Sequence, residues 1–272
     1  MITDRARRLL GFYCALACAF SVLPVIGIVA ESFTATDYIV FPPTGPSLKW
    51  YWAILDRREF IESAGVSVIV ACGASLAATA LGTLAAIALV RYRFFGRRPL
   101  QSLFLAPMSL PGLILGLALL QFFADYSLPR DTRAMMIGHM IITMPFAIRF
   151  VMVALMGVNP NIEQAARSLG ANGWTTFRLV TLPLIRPGIV ASLVFTFILS
   201  FDDVAVSLFL SSPTATTLPV RIYTYIDQNY DPLVTAVSAC VVYVAFTALL
   251  VIERKIGVGR LFGLSEVTRQ TK

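Results

Sequence analysis

The sequence predicts an all-α membrane protein with six membrane-spanning helices. Three observations carry that prediction. The 272 residues are 57% hydrophobic and only 14% charged, with a mean hydropathy of +0.78, which leaves too few charges to cover a water-soluble domain of this length. The apolar residues are also concentrated in runs. Leu9–Ala30, Ser63–Val90, Pro99–Ala124 and Pro232–Ile252 hold no Asp, Glu, Lys or Arg, and each meets the roughly 20 residues a helix needs to cross a bilayer core. Two further runs, Ala134–Val158 and Pro187–Leu210, are interrupted only by Arg149 and by Asp202 and Asp203. The spans are placed at 9–30, 63–90, 99–124, 134–158, 187–210 and 232–252, in one transmembrane domain over 1–272.

The first run follows Arg5, Arg7 and Arg8 in the manner of a secretory signal. Its 22 uncharged residues exceed the apolar core of about 7–15 residues in such signals, and no convincing small-x-small cleavage site comes after it, so it is read as an uncleaved first helix. Orientation follows from the basic residues. With the N-terminus in the cytoplasm, 16 of the 22 Lys and Arg fall on the inner side, and net charge divides as +12 inside, −3 outside and −2 within the spans. Both termini are then cytoplasmic. The basic balance is a topology signal and gives no reason to expect nucleic-acid binding.

The outer segment Glu31–Glu62 contains the stiff "FPPTGPS" and then "SLKWYWAILDRREF". The latter reads as an amphipathic helix with Trp50, Tyr51 and Trp52 at the interface, where aromatic rings sit well. Span two ends in the basic inner loop "RYRFFGRR". Span three contains "APMSLPGLILG", where Pro107, Pro111 and Gly112 predict a bend or break near mid-membrane. Two readings of that break stand, a packing kink and a pathway lining. Arg149 lies near the inner end of span four, where it can snorkel to water. Cys14, Cys18, Cys72 and Cys240 all lie within spans and show neither metal-ligand spacing nor a disulfide framework. His139, the single histidine, reads as a packed, hydrogen-bonded core residue. The segment from Glu253 to Lys272 reads as a short cytoplasmic tail.

Between spans four and five, residues 159–183 keep a charged, turn-containing segment. Asn159 is an N-cap and Pro160 suits the first helical position. Glu163 sits in the first turn and Arg167 near the other end, each favoured there by the helix dipole. Gly170 fits the left-handed position just past a helix end. The chain restarts at "ANGWTTFRLV" and is expected to stop at Leu182-Pro183, which makes a compact helical hook in the cytoplasm. Such a hook is either purely structural or a docking element.

"EQAARSLGANGWTTFRLVTLP" resembles the EAA loop of permease subunits of bacterial type I ABC importers. That pattern is E-A-A, three residues, glycine, nine residues and I-x-L-P. Here Gln164-Ala165-Ala166, Gly170 and then Val180, Leu182 and Pro183 keep the spacing throughout. Gln164 replaces the glutamate and Val180 the isoleucine; Glu163 stands one position earlier, about 100° around the helix. The resemblance implies that Glu163, Gln164, Ala165, Ala166, Gly170, Leu182 and Pro183 couple the chain to an ATPase. It also implies a second permease, an ATP-binding-cassette ATPase dimer, a periplasmic binding protein and a location in the bacterial inner membrane. The chain has no G-x-x-x-x-G-K-[ST] phosphate loop, so ATP and magnesium are expected in the partner ATPase and no cofactor on this chain. Further along, "SFDDVAVSLFLSSPTATTLPVRIYTYI" resembles the second permease of spermidine/putrescine importers, with its S-x-D-D run and L-P-x-x-I-Y element. The implied solute is a polyamine or similar amino compound. Importers for iron, thiamine, opines or aminophosphonates share the scaffold.

Two adjacent carboxylates in span five need a reason, because a charge at mid-membrane costs roughly 2.5–3.5 kcal/mol. On a continuous helix, Ser192, Thr196, Ser200, Asp203 and Ser207 fall within about 80° of one another. Asp203 is then expected on a polar stripe lining a wet translocation path, and Asp202, about 100° away, to pair within the protein. The other reading has both acids satisfying groups at a helix break. An intramembrane aspartyl protease needs two facing carboxylates from separate helices, and adjacent residues diverge. A secondary transporter would account for the acids and leave the EAA spacing unexplained.

Overall fold

The computed structural model describes residues 4–256. The tail beyond, with Arg260, Arg269 and Lys272 of the inner basic set, lies outside the described residues. The described residues are largely helical and fall in two compact units, 4–62 with 222–252 and 63–221 with 253–256.

The first unit begins with α1 (Asp4–Glu31). None of its apolar stretch is buried within the chain, as a helix facing lipid or another subunit requires. The loop after it is held by polar contacts: Glu31 Oε1 accepts from the Val40 amide at 3.2 Å, and Trp50 Nε1 donates to the Thr36 carbonyl at 3.2 Å. The amphipathic segment forms α2 (Lys49–Asp56). Trp52 on it is exposed, while the Tyr51 hydroxyl bonds Ser32 Oγ at 2.6 Å. The unit also contains residues 222–252. There the Tyr225 hydroxyl donates to Asp231 Oδ2 at 2.8 Å, and burial, then that bond, push the phenol up to about 12.

The second unit is organised along α3 (Arg58–Arg91), α6 (Thr132–Gly157) and α9 (Leu182–Asp202). Helix α6 starts where Asp131 Oδ1 accepts from the Arg133 and Ala134 amides, an N-cap written in the sequence. One apolar core joins Ala86 and Leu89 of α3, Ile148, Val151 and Leu155 of α6, and Ile185 of α9. Helices α6 and α9 approach closely at Gly188, where a Cβ would collide with the Ala154 side chain. A second core joins Val70, Met135, Phe123, Val206 and Leu210.

Span three breaks as its prolines predict. Helix α4 (Arg97–Leu105) tightens through Ala106–Ser109, and α5 (Gly112–Asp125) leaves at 107° to it. Leu110, before Pro111, is extended at φ −92°, ψ 135°, the conformation proline imposes on its predecessor. Five described helices are long and apolar enough to cross a membrane, and the bent pair makes a sixth if it counts as one span.

Two boundaries differ from expectation. Span five does not run unbroken to Leu210: α9 ends at Asp202, and a short α10 (Ala205–Leu210) comes after an extended Asp203 at φ −68°, ψ 123°. The hook does not stop at Leu182-Pro183 either. After α7 (Pro160–Ser168), α8 (Gly173–Thr176) leads through a widened turn at Phe177–Thr181 into α9, so helix continues from Gly173 to Asp202. Pro183 lacks an N–H and its ring crowds the carbonyl four residues back. A wider turn just before it relieves both, and proline is tolerated in the first turn of α9.

Candidate functional site

The hook is built as its sequence dictates. Asn159 Oδ1 accepts from the Asn161 amide at 3.0 Å and starts α7. Gly170 is left-handed at φ +91°, with the Gly170 amide on the Arg167 carbonyl and the Ala171 amide on the Ala166 carbonyl. Asn172 then caps α8, its Oδ1 accepting from the Thr175 amide at 2.8 Å. The outer face of the hook is open: Gln164, Ala165 and Arg167 are exposed, and Leu169 and Trp174 are 90% and 68% exposed.

Glu163 faces the other way. It is buried, its Oε1 accepting from Thr181 Oγ1 at 2.9 Å and its Oε2 3.1 Å from Arg91 Nε. Arg91, the last residue of α3, also donates through Nη2 to the carbonyls of Leu155 (3.3 Å) and Val158 (3.5 Å), at the end of α6. One guanidinium thus holds together the inner ends of α3 and α6 and the first helix of the hook, while Thr181 ties in the second. The Glu163 carboxylate, one position before the family glutamate, is thus taken up within the chain. Gln164 is the outward residue. Leu182 and Pro183 lie in the first turn of α9, and Ala166 is half-buried on α7.

Deeper in the unit, the polar residues of span five turn inward. Ser192, Thr196, Ser200 and Ser207 are all buried. Ser192 Oγ bonds Thr79 Oγ1 of α3 at 3.1 Å, and the Thr196 hydroxyl donates to the Ser192 carbonyl at 2.8 Å. His139 of α6, fully buried, has Nδ1 2.8 Å from Ser200 Oγ and Nε2 2.8 Å from Ser207 Oγ. It bridges the two sides of the break. Asp203 closes the same site: its Oδ2 accepts from the Val206 and Ser207 amides at 3.0 Å each and lies 3.7 Å from His139 Nε2.

The placement of the two acids differs from the continuous-helix expectation, and for Asp203 it follows the helix-break reading. Asp203 is engaged with backbone and histidine, whereas Asp202, at the end of α9, is exposed, with no hydrogen bond or ion pair to another described residue. Ser192 of the stripe bonds α3, Ser200 and Ser207 bond α6, and all three are buried. The reason is the break itself. Positions computed for a continuous helix lose their meaning after Asp202, because Asp203 leaves the helix and its carboxylate takes over the amides of the next turn. Arg91, Thr181, Thr79 and Asn172 escaped the sequence reading. Only Asn172 carried a local signal, as an Asn immediately before a glycine-led helix; the others act through partners far away in the chain.

Comparison with known proteins gives a concordant picture. Residues 78–256 match the family described as binding-protein-dependent transport system inner membrane component. The chain is 28% identical to the spermidine/putrescine transport system permease protein PotC of Escherichia coli over 90% of its length and 92% of that protein. It is 31% identical to the putrescine transport system permease protein PotI of Escherichia coli, over 86% of this chain and 83% of the other. A chain in the crystal structure of a bacterial ABC transporter that imports the acidic polysaccharide alginate superposes with a TM-score of 0.70, at 16% identity, over 94% of this chain and 99% of that one.

Proposed function

The chain belongs to the family of binding-protein-dependent transport system inner membrane components, and from that premise we propose that its solute is a polyamine or a similar small amino cation. The permease role is the family's: the chain is the membrane subunit of a type I ABC importer. The proposal concerns what passes and what drives it. A second permease completes the pathway in the bacterial inner membrane, a periplasmic binding protein delivers the solute, and an ATPase dimer binds ATP and magnesium and hydrolyses the nucleotide. The hook, with Gln164, Ala165 and Ala166 on its first helix and Gly170 at its turn, docks on that ATPase. Because α8 is continuous with α9, and Arg91 ties the hook to α3 and α6, displacement of the hook carries all three helices as a body, the rigid-body kind of switch between two states.

The observation that carries the cationic solute is Asp202. An exposed carboxylate within a membrane span is costly in lipid, and a wet path with a passing cation removes that cost. Similarity to permeases named for spermidine and putrescine supports the same reading. The likeness to an alginate importer bears on the fold alone. Uptake of labelled spermidine and putrescine by the complete complex in proteoliposomes tests the proposal. ATP-dependent accumulation of either supports it. Accumulation only of an anionic solute that competes with neither amine overturns it.

A further inference from the structure

The inner loop between α3 and α4 presents Arg93, Phe94, Phe95, Gly96, Arg97, Arg98 and Pro99 around an open concavity of about 440 Å³. Three arginines line it. Among the described residues Arg93, Arg97 and Arg98 form no ion pair, whereas Arg91, two positions before, is committed to Glu163. Phe95 is fully exposed and Tyr92 is 60% exposed. Gly96 takes φ +82° and begins α4 without a side-chain cap. Loops that merely close a helical hairpin do not need fully exposed aromatic rings beside unpaired arginines. A water-filled setting would leave the Phe95 ring hydrated, and a purely apolar one would strand three charges.

We propose that this concavity binds the phosphate headgroup of an acidic phospholipid of the inner leaflet, with Arg93, Arg97 and Arg98 on the phosphate and Phe94 and Phe95 at the acyl boundary. Charge and amphipathicity both select that occupant. Basic groups beside a span attract anionic headgroups, guanidinium matches phosphate geometry with paired donors, and aromatic rings belong at the headgroup level. The proposal rests on the inward orientation of this loop. The tie from Arg91 to Glu163 puts the lipid site within a few residues of the hook's anchor, so occupancy braces the end of α3 that the hook leans on.

The complete complex is placed in nanodiscs of equal parts phosphatidylcholine and phosphatidylglycerol, and lipid retained after detergent extraction is identified by mass spectrometry. Wild type is compared with the triple variant Arg93→Gln, Arg97→Gln, Arg98→Gln and with the triple lysine variant. Phosphatidylglycerol is expected to be retained by wild type and lost from the glutamine variant, with affinity about fivefold weaker for each charge removed, the ratio that corresponds to roughly 1 kcal/mol per basic residue near an anionic surface. The lysine variant is expected to fall between. Retention should also survive added inorganic phosphate; displacement by phosphate alone would assign the site to a free anion and overturn the lipid reading. Equal retention by wild type and the glutamine variant overturns it as well, as does loss of ATPase from the variant with lipid retention unchanged, which makes the loop a protein contact. Because the readout is bound lipid, it stands apart from solute uptake, and the identity of the solute is unaffected by either result.

Discussion

Arg91 and Glu163 lie 72 residues apart in the chain and meet at 3.1 Å, Nε to Oε2, at the base of the hook. Both side chains are largely buried, at 17% and 12% exposure, so the pair is shielded from the solvent that weakens surface ion pairs. Glu163 also accepts from Thr181, and Arg91 also serves the carbonyls of α6. This pair joins the base of the hook to α3, and the family pattern within the hook does not contain it.

Glu163→Ala leaves a part-buried guanidinium without its carboxylate. The expected loss is about 2–3 kcal/mol, below that of a fully buried pair because both side chains keep some exposure, read as a lower melting temperature of the purified complex and weaker coupling of ATP hydrolysis to solute. Exchanging the two, Arg91→Glu with Glu163→Arg, should not restore the parent. A carboxylate at 91 would face the carbonyls of Leu155 and Val158 and repel them. Full recovery in the exchanged variant would show that the carbonyl contacts carry nothing.

Gly170→Val should misaim the hook with little effect on membrane insertion. The left-handed backbone at φ +91° costs an L-residue about 1–2 kcal/mol, and a β-branched one more. No atom lies within 4 Å of where a Cβ would sit, so the whole effect is backbone strain. Gly170→Asn, which tolerates this region, should therefore stay close to wild type. Co-purification of the ATPase with each variant checks this, and equal retention of the ATPase by the valine variant would contradict it.

The two aspartates should separate by phenotype. Asp202→Asn is expected to slow uptake of a cationic solute with thermal stability unchanged. Asp203→Ala should instead destabilise by about 1–2 kcal/mol, the typical loss when a side chain that caps two backbone amides is removed. Asp203→Asn keeps one acceptor oxygen and should fall between. Uptake and melting of the same reconstituted samples decide the matter; the opposite pairing of effects would return Asp203 to the pathway.

His139→Phe fills the site with an apolar ring and strands the Ser200 and Ser207 hydroxyls, both buried. Each buried hydroxyl left unbonded costs about 1–3 kcal/mol. Adding Ser200→Ala and Ser207→Ala to the histidine change should recover part of that loss, because it removes the stranded groups. A triple variant no more stable than His139→Phe would argue that the histidine acts through Asp203 and not through the serines.

The sequence by itself determined the all-helical, membrane-spanning class and the order of the apolar runs, the break at Pro107–Gly112, and the hook's internal build from Asn159 to Gly170. These features rest on short-range rules: uninterrupted apolar length, proline's missing donor, an Asn at a helix start and a glycine past a helix end. It also carried the EAA spacing, because that spacing lies within one contiguous segment. Tertiary structure alone decided which acid is occupied and which is open, which face of the span-five stripe turns inward, and what anchors the hook. Asp203, His139, Ser200 and Ser207 converge only because α6 packs against α9 and α10, and Arg91 reaches Glu163 only because the ends of α3 and α6 coincide. Helical-wheel arithmetic holds for a helix that continues. Where a carboxylate takes up the amides of the next turn, the helix ends, and the direction of every later side chain is set by packing.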